Sequence, residues 1–213
     1  MTDETNGFGI HLNTLHLFKI ARVAYERAKD AGQGDLAEGL SDSVVALLFS
    51  AATLEAFIGE FAELSSLNGS EKLQRIAEIL DNLEASRAQL GSKFMTLKLL
   101  LDGKGFKRDA LPYQDFQLLL EARNYIMHMK PEQLAFEPHK IVRGFESRGL
   151  CSQSVNSWPK TIDSLPHVLR QISTPAAARW SCNVVVQMAQ ALRGALTGDD
   201  QHLHPLLAEN TVT

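Results

Sequence analysis

At 213 residues, of which 45% are apolar, the chain is long enough to bury one large core without help from disulfides or a structural metal. Its 25 acidic residues outnumber 21 basic ones, giving a formal net charge of −4 and a pI near 6.0, so it has no overall basic footprint. Any grip on nucleic acid has to come from a local patch rather than the bulk field.

The N-terminus, Met1-Thr-Asp-Glu-Thr-Asn-Gly, is acidic and polar, with no apolar core of signal-peptide length behind it. No run of 18 apolar residues suggests a membrane span, and the expected location is the cytoplasm. From about residue 10 to 30, Ile10, Leu12, Leu15, Leu17, Phe18, Ala21, Val23 and Tyr25 alternate with charges at close to a helical period, and Gly32 and Gly34 close that segment. His11 and His16 are isolated on it and read as solvent-facing.

A second helix opens at Ser41 or Asp42 as a candidate N-cap. It runs through Val44, Val45, Leu47, Leu48, Phe49, Leu54, Phe57, Ile58, Phe61 and Leu64. Being apolar nearly all round, it should sit at the centre of the core. Glu55 and Glu60 interrupt it, either as margin residues reaching solvent or as partners of Arg123 or His128 further along the chain.

A third helix is expected from Ser70 to about Leu90, with Leu73, Ile76, Ala77, Leu80 and Leu83 on one face, and a short one after Gly91. The leucines at 97, 99, 100 and 101 lead into a basic, glycine-containing loop, Asp102-Gly-Lys-Gly-Phe-Lys-Arg108. Pro112 then starts a helix with Phe116, Leu119, Ala122, Ile126 and Met129 on one stripe.

That helix carries Arg123-Asn124-Tyr125-Ile126-Met127-His128, and Pro131 should stop it near His128 or Met129. Arginine holds phosphate through paired donors and histidine carries a proton, the two functions needed to cleave RNA without a metal. At a helix C-terminus, unpaired carbonyls favour a positive imidazole. Residues five apart on a helix differ by roughly 140° around the axis, so one helix does not clamp a phosphate between Arg123 and His128. Either the last turn unwinds, or a second copy brings another pair opposite across a twofold axis. The bland alternatives are a surface arginine and a helix-capping histidine. Met127 and Met129 fit either core filling or dimer contacts.

Residues 131 to 173, with Pro131, Pro138, Pro159 and Pro166, are expected to be irregular, with short extended pieces such as 140 to 145. Thr174-Pro175 opens the last helix, to about residue 197, and the tail 198–213 is expected to fray. His202 and His204 with Asp199 and Asp200 are a weak metal candidate lacking a fixed fourth ligand. No phosphate-cradling or dinucleotide-binding glycine string occurs, and neither a metal nor any other cofactor is expected.

The Arg123-Asn124-x-x-x-His128 element on a late helix resembles the R-x4–6-H motif of HEPN domains. Ser50-Ala-Ala-Thr-Leu-Glu55-Ala-Phe-Ile-Gly-Glu60 is similar to that superfamily's core helix, and residues 93 to 106 to its leucine linker and loop. The resemblance covers about residues 10 to 130, with the Thr174 helix completing the bundle. It implies an all-α, up-and-down helical bundle in one domain, with an irregular insertion before the last long helix, that pairs into a homodimer through the motif helix. It further implies a metal-independent endoribonuclease leaving a 2′,3′-cyclic phosphate, with Arg123 binding phosphate, Asn124 assisting and His128 as acid/base. Many such relatives are toxins or defence effectors held by an antitoxin or other partner protein. Others are noncatalytic modules that bind nucleotide, RNA or a protein, and this is the alternative reading.

Overall fold

The computed structural model describes residues 12–31, 36–128, 140–151 and 167–212. The described residues are 79% helical and contain no strand. The expected all-α class holds.

Helices α1 (Asn13–Ala31) and α2 (Leu36–Asn68) form the most extensive pairing in the molecule. Thr14, Phe18, Ala21, Tyr25 and Ala28 recur at three- and four-residue spacing, so they form one stripe of α1 that is buried. Three alanines, Ala21, Ala24 and Ala28, let the two backbones approach. Helix α2 starts earlier than Ser41 or Asp42 would suggest, because residues 36–40 already continue the helix.

Leu47, Leu54, Phe57 and Phe61 of α2 are fully buried, and α2 packs on α1, α3 (Glu71–Ala85), α4 (Leu90–Asp102), α5 (Tyr113–Met127) and α8 (Pro175–Arg193). It is the central helix that its apolar circumference predicts. Its Ser41–Asn68 stretch has the length and apolarity to cross a membrane, yet 56% of that window is buried inside the fold, as in a core helix. Where α2 crosses α8, Ser50 Oγ lies 3.1 Å from Ser181 Oγ and 3.8 Å from Cys182 Sγ, so small polar residues permit the close contact.

Helix α3 ends at Ala85 rather than near Leu90. Ser86 caps it by donating its N–H to the Asn82 carbonyl, and Arg87 at φ 56° turns the chain into α4. Helix α5 ends at Met127, next to the position predicted from Pro131. Thr174 Oγ1 accepts the Ala177 N–H at 3.0 Å, with Pro175 at the first helical position, so the start of α8 is as the sequence predicts.

Two expectations fail. In the segment expected to be irregular, the described parts fold as α6 (Lys140–Glu146) and α7 (His167–Ile172). Ile141, Val142 and Phe145 are buried together at helical spacing, and packing overrides their strand-like β-branching. The tail does not fray. Residues Gly198–His202 and Pro205–Ala208 form 3-10 turns, and His204, Leu206 and Leu207 are buried.

This C-terminal strap is fastened at intervals. Asp200 accepts from Ser70 Oγ at 2.8 Å, Glu209 pairs with Arg22 at 3.4 Å, and Asn183 Oδ1 accepts the Val212 N–H at 2.7 Å.

Candidate functional site

Helix α5 carries the motif, and its other side fixes it in the core. Phe116, Leu119 and Ala122 are fully buried, so the remaining face, with Arg123, Asn124, Met127 and His128, looks outward. At the N-terminal half, Asp115 accepts from Arg148 Nε at 2.5 Å and from Trp180 Nε1 at 2.9 Å. A single buried carboxylate thereby joins α5 to α8 and to the end of α6.

Arg123 is half-exposed and held from two sides. Its Nη2 lies 3.1 Å from Glu55 Oε2 on α2, and its Nη1 donates to Asn124 Oδ1 at 3.0 Å. Asn124 is therefore engaged with the arginine. One of the two glutamates singled out on α2 is the arginine's partner. The sequence offered it only as one possibility among several, because nothing local sets the register of α2 against α5.

His128 is exposed and has left the helix, at φ −124° and ψ 30°. Its backbone N–H still donates to the Asn124 and Tyr125 carbonyls, so it caps α5. Its Cα therefore keeps the helical register, roughly 140° around the axis from Arg123. Met127 is 57% exposed, which removes core filling as its explanation. Met129 and Lys130 lie outside the described residues. The basic loop 103–108 precedes α5 and so stands at its opposite end, too far to enlarge the charge around His128.

Glu60, the second glutamate, serves the fold. Its Oε1 accepts the backbone N–H groups of Asn13 at 2.5 Å and Thr14 at 3.0 Å, capping α1 from α2. Its Oε2 meets His204 Nε2 at 3.1 Å, while His204 Nδ1 accepts the Leu206 N–H at 3.1 Å. The imidazole is thus neutral, with its proton on Nε2. Burial pushes the Glu60 carboxyl up, but hydrogen bonds from Thr14, His204 and the Asn13 backbone outweigh it and hold the group below its ordinary value. Burial holds His204 below its ordinary value, against the pull of Glu60.

Both nitrogens of His204 are thus occupied, and among the described residues no three His, Cys, Asp or Glu side chains form a metal cluster. Burial raises both Cys151 and Cys182 to about 11, so neither thiol ionises near neutral pH. An open hollow of about 360 Å³, lined by residues of α3 and α4 including Lys72, Arg75 and Ile79, shares no residue with the motif.

Against known proteins, the chain matches no family model, no curated protein and no solved structure.

Proposed function

We propose that the protein is a metal-independent endoribonuclease of the HEPN type, acting as a homodimer in a toxin or defence system, with Arg123, Asn124 and His128 as its site. The observation that carries this reading is the end of α5. An arginine held by Glu55 and Asn124, and a histidine at the C-cap of the same helix, both lie outside the core. Arg123 would neutralise the phosphate oxygens. One imidazole takes the ribose 2′-hydroxyl proton as the 2′-oxygen bonds to phosphorus; the partner copy's imidazole protonates the departing 5′-oxygen as the phosphorus–5′-oxygen bond breaks. Each such proton transfer is worth on the order of 10²–10⁴ in rate. Asn124 fixes the guanidinium plane rather than the imidazole.

The test is incubation of the full chain with structured RNA in chelator. Fragments ending in 2′,3′-cyclic phosphate are expected, and Arg123→Ala and His128→Ala should each abolish them with helicity and dimer mass unchanged. Residual cleavage equal to wild type in both variants rejects the enzyme. The ion pair to Glu55 favours a second reading, a noncatalytic binding module, because it already neutralises the arginine. RNA retained but never cut would select that one.

A further inference from the structure

The loop between α4 and α5 is a second charged site that the motif does not use. Lys104, Lys107 and Arg108 fall within five consecutive positions of a chain whose acids outnumber its bases, and all three are exposed. None forms an ion pair with a carboxylate among the described residues, whereas Lys98, Arg75, Lys93, Arg123, Lys140 and Arg148 each do.

The loop is also built rather than slack. Gly103, at φ 75°, closes α4 by donating its N–H to the Leu99 carbonyl at 2.8 Å. Gly105, at φ 67°, takes a left-handed conformation beside α4, where an added Cβ would meet Met95 at 3.4 Å. Phe106 turns inward at 9% exposure and stacks on Tyr113 at 5.3 Å, while the Tyr113 hydroxyl donates to the Gly91 carbonyl at 3.1 Å. Lys98 lies 6.0 Å from the Phe106 ring centroid and is tied to Asp102 at 2.6 Å. With Phe106 anchored, the two lysines and the arginine around it project from a fixed backbone, so a polyanion meets cations whose attachment points are already in place.

We propose that residues 104–108 are a second contact for the RNA backbone, binding phosphates at a distance from those held at Arg123. Helix α5 is the ruler: its 15 residues separate the loop from His128 by roughly 22 Å. A dinucleotide at the motif cannot reach the loop, and a longer strand can. This inference rests on the ribonuclease reading for the identity of the polyanion, and it assigns long RNA over short as the substrate.

Two measurements on the full chain separate the inference from that reading. Binding of a 20-nucleotide RNA is followed in a His128→Ala background, with and without Lys104→Ser/Lys107→Ser/Arg108→Ser, across a salt series. Cleavage of a dinucleotide is followed in the otherwise wild-type protein, with and without the same three changes. The triple variant should bind the long RNA at least tenfold more weakly, and the slope of log affinity against log salt should flatten by about 2, near 0.7 for each lost contact to a single strand. Dinucleotide cleavage should not change.

Unchanged affinity and slope would overturn the loop contact while leaving the nuclease intact. A flattened slope with no cleavage of the 20-nucleotide RNA by the unmodified protein would sustain the contact and remove the nuclease. Loss of binding to a poly-glutamate peptide, with RNA binding untouched, would reassign the loop to an acidic protein partner and overturn the proposal.

Discussion

Arg123 is the residue on which the proposed chemistry and the fold compete. Its ion pair with Glu55 is solvent-accessible on both sides, so it contributes only about 0–1 kcal/mol to stability. In the proposed enzyme, phosphate binding has to displace or share that carboxylate. Glu55→Gln should therefore leave the melting temperature within a degree or two while tightening RNA binding several-fold, checked by thermal denaturation and fluorescence anisotropy. Weaker binding would mean that Glu55 positions the guanidinium rather than competing for it.

Glu60 is the opposite case, a carboxylate whose whole role is internal. Glu60→Ala leaves the first N–H groups of α1 and the buried His204 without their acceptor. Denaturant titration should show a loss of roughly 2–4 kcal/mol.

Among the elements, α5, α6 and α8 meet at Asp115. Asp115→Ala removes the acceptor of Arg148 Nε and of the Trp180 indole N–H, two donors that it alone joins, while Arg148 Nη1 keeps the Gly144 carbonyl. A loss of roughly 3 kcal/mol is expected, together with a shift in Trp180 fluorescence, because removing one member of a buried polar group costs more than the group contributes. At the corner between α2 and α3, a Cβ on Gly69 would sit 2.5 Å from the Ser65 carbonyl oxygen, which is backbone and cannot move aside cheaply. Gly69→Ala should cost about 1–3 kcal/mol by chemical denaturation.

The elements differ in how readable they were, and the reasons are physical. Helices α5 and α8 announce themselves because their boundaries are set locally, by Pro112, Pro131 and the Thr174-Pro175 cap. Helix α6 is hidden because Ile141 and Val142 carry strand-like propensity and the surrounding prolines suggest loop; only burial of Phe145 and its neighbours decides the matter. At the site, Arg123, Asn124 and His128 are visible as a string, but the Glu55 contact spans 68 residues and depends on how two helices dock. No local pattern encodes that register. The pairing of His204 with Glu60 is illegible for the same reason, the two lying 144 residues apart.

For the molecule as a whole, the buried Glu60–His204 pair sets a pH response of definite sign. His204 is held below its unfolded value of about 6.5, so its contribution is complete above that pH and declines as pH falls through and below it. Glu60 is held below its reference value of 4.5, so its contribution is present above that value and is lost as pH falls through the lowered folded one. Both act in the same direction. Denaturation midpoints measured from pH 8 down to 4 should fall steadily below about pH 6.5, and His204→Phe should remove the upper part of that slope.

The strap also imposes an order on biosynthesis. Glu60 and the start of α1 leave the ribosome early, while the imidazole that completes their buried polar cluster is translated 144 residues later. At about 5–20 residues per second that interval is roughly 7–30 seconds. Throughout it, the nascent chain carries a carboxylate destined for the interior with one partner still unmade, and the first helix reaches its final stability only as the last turns emerge.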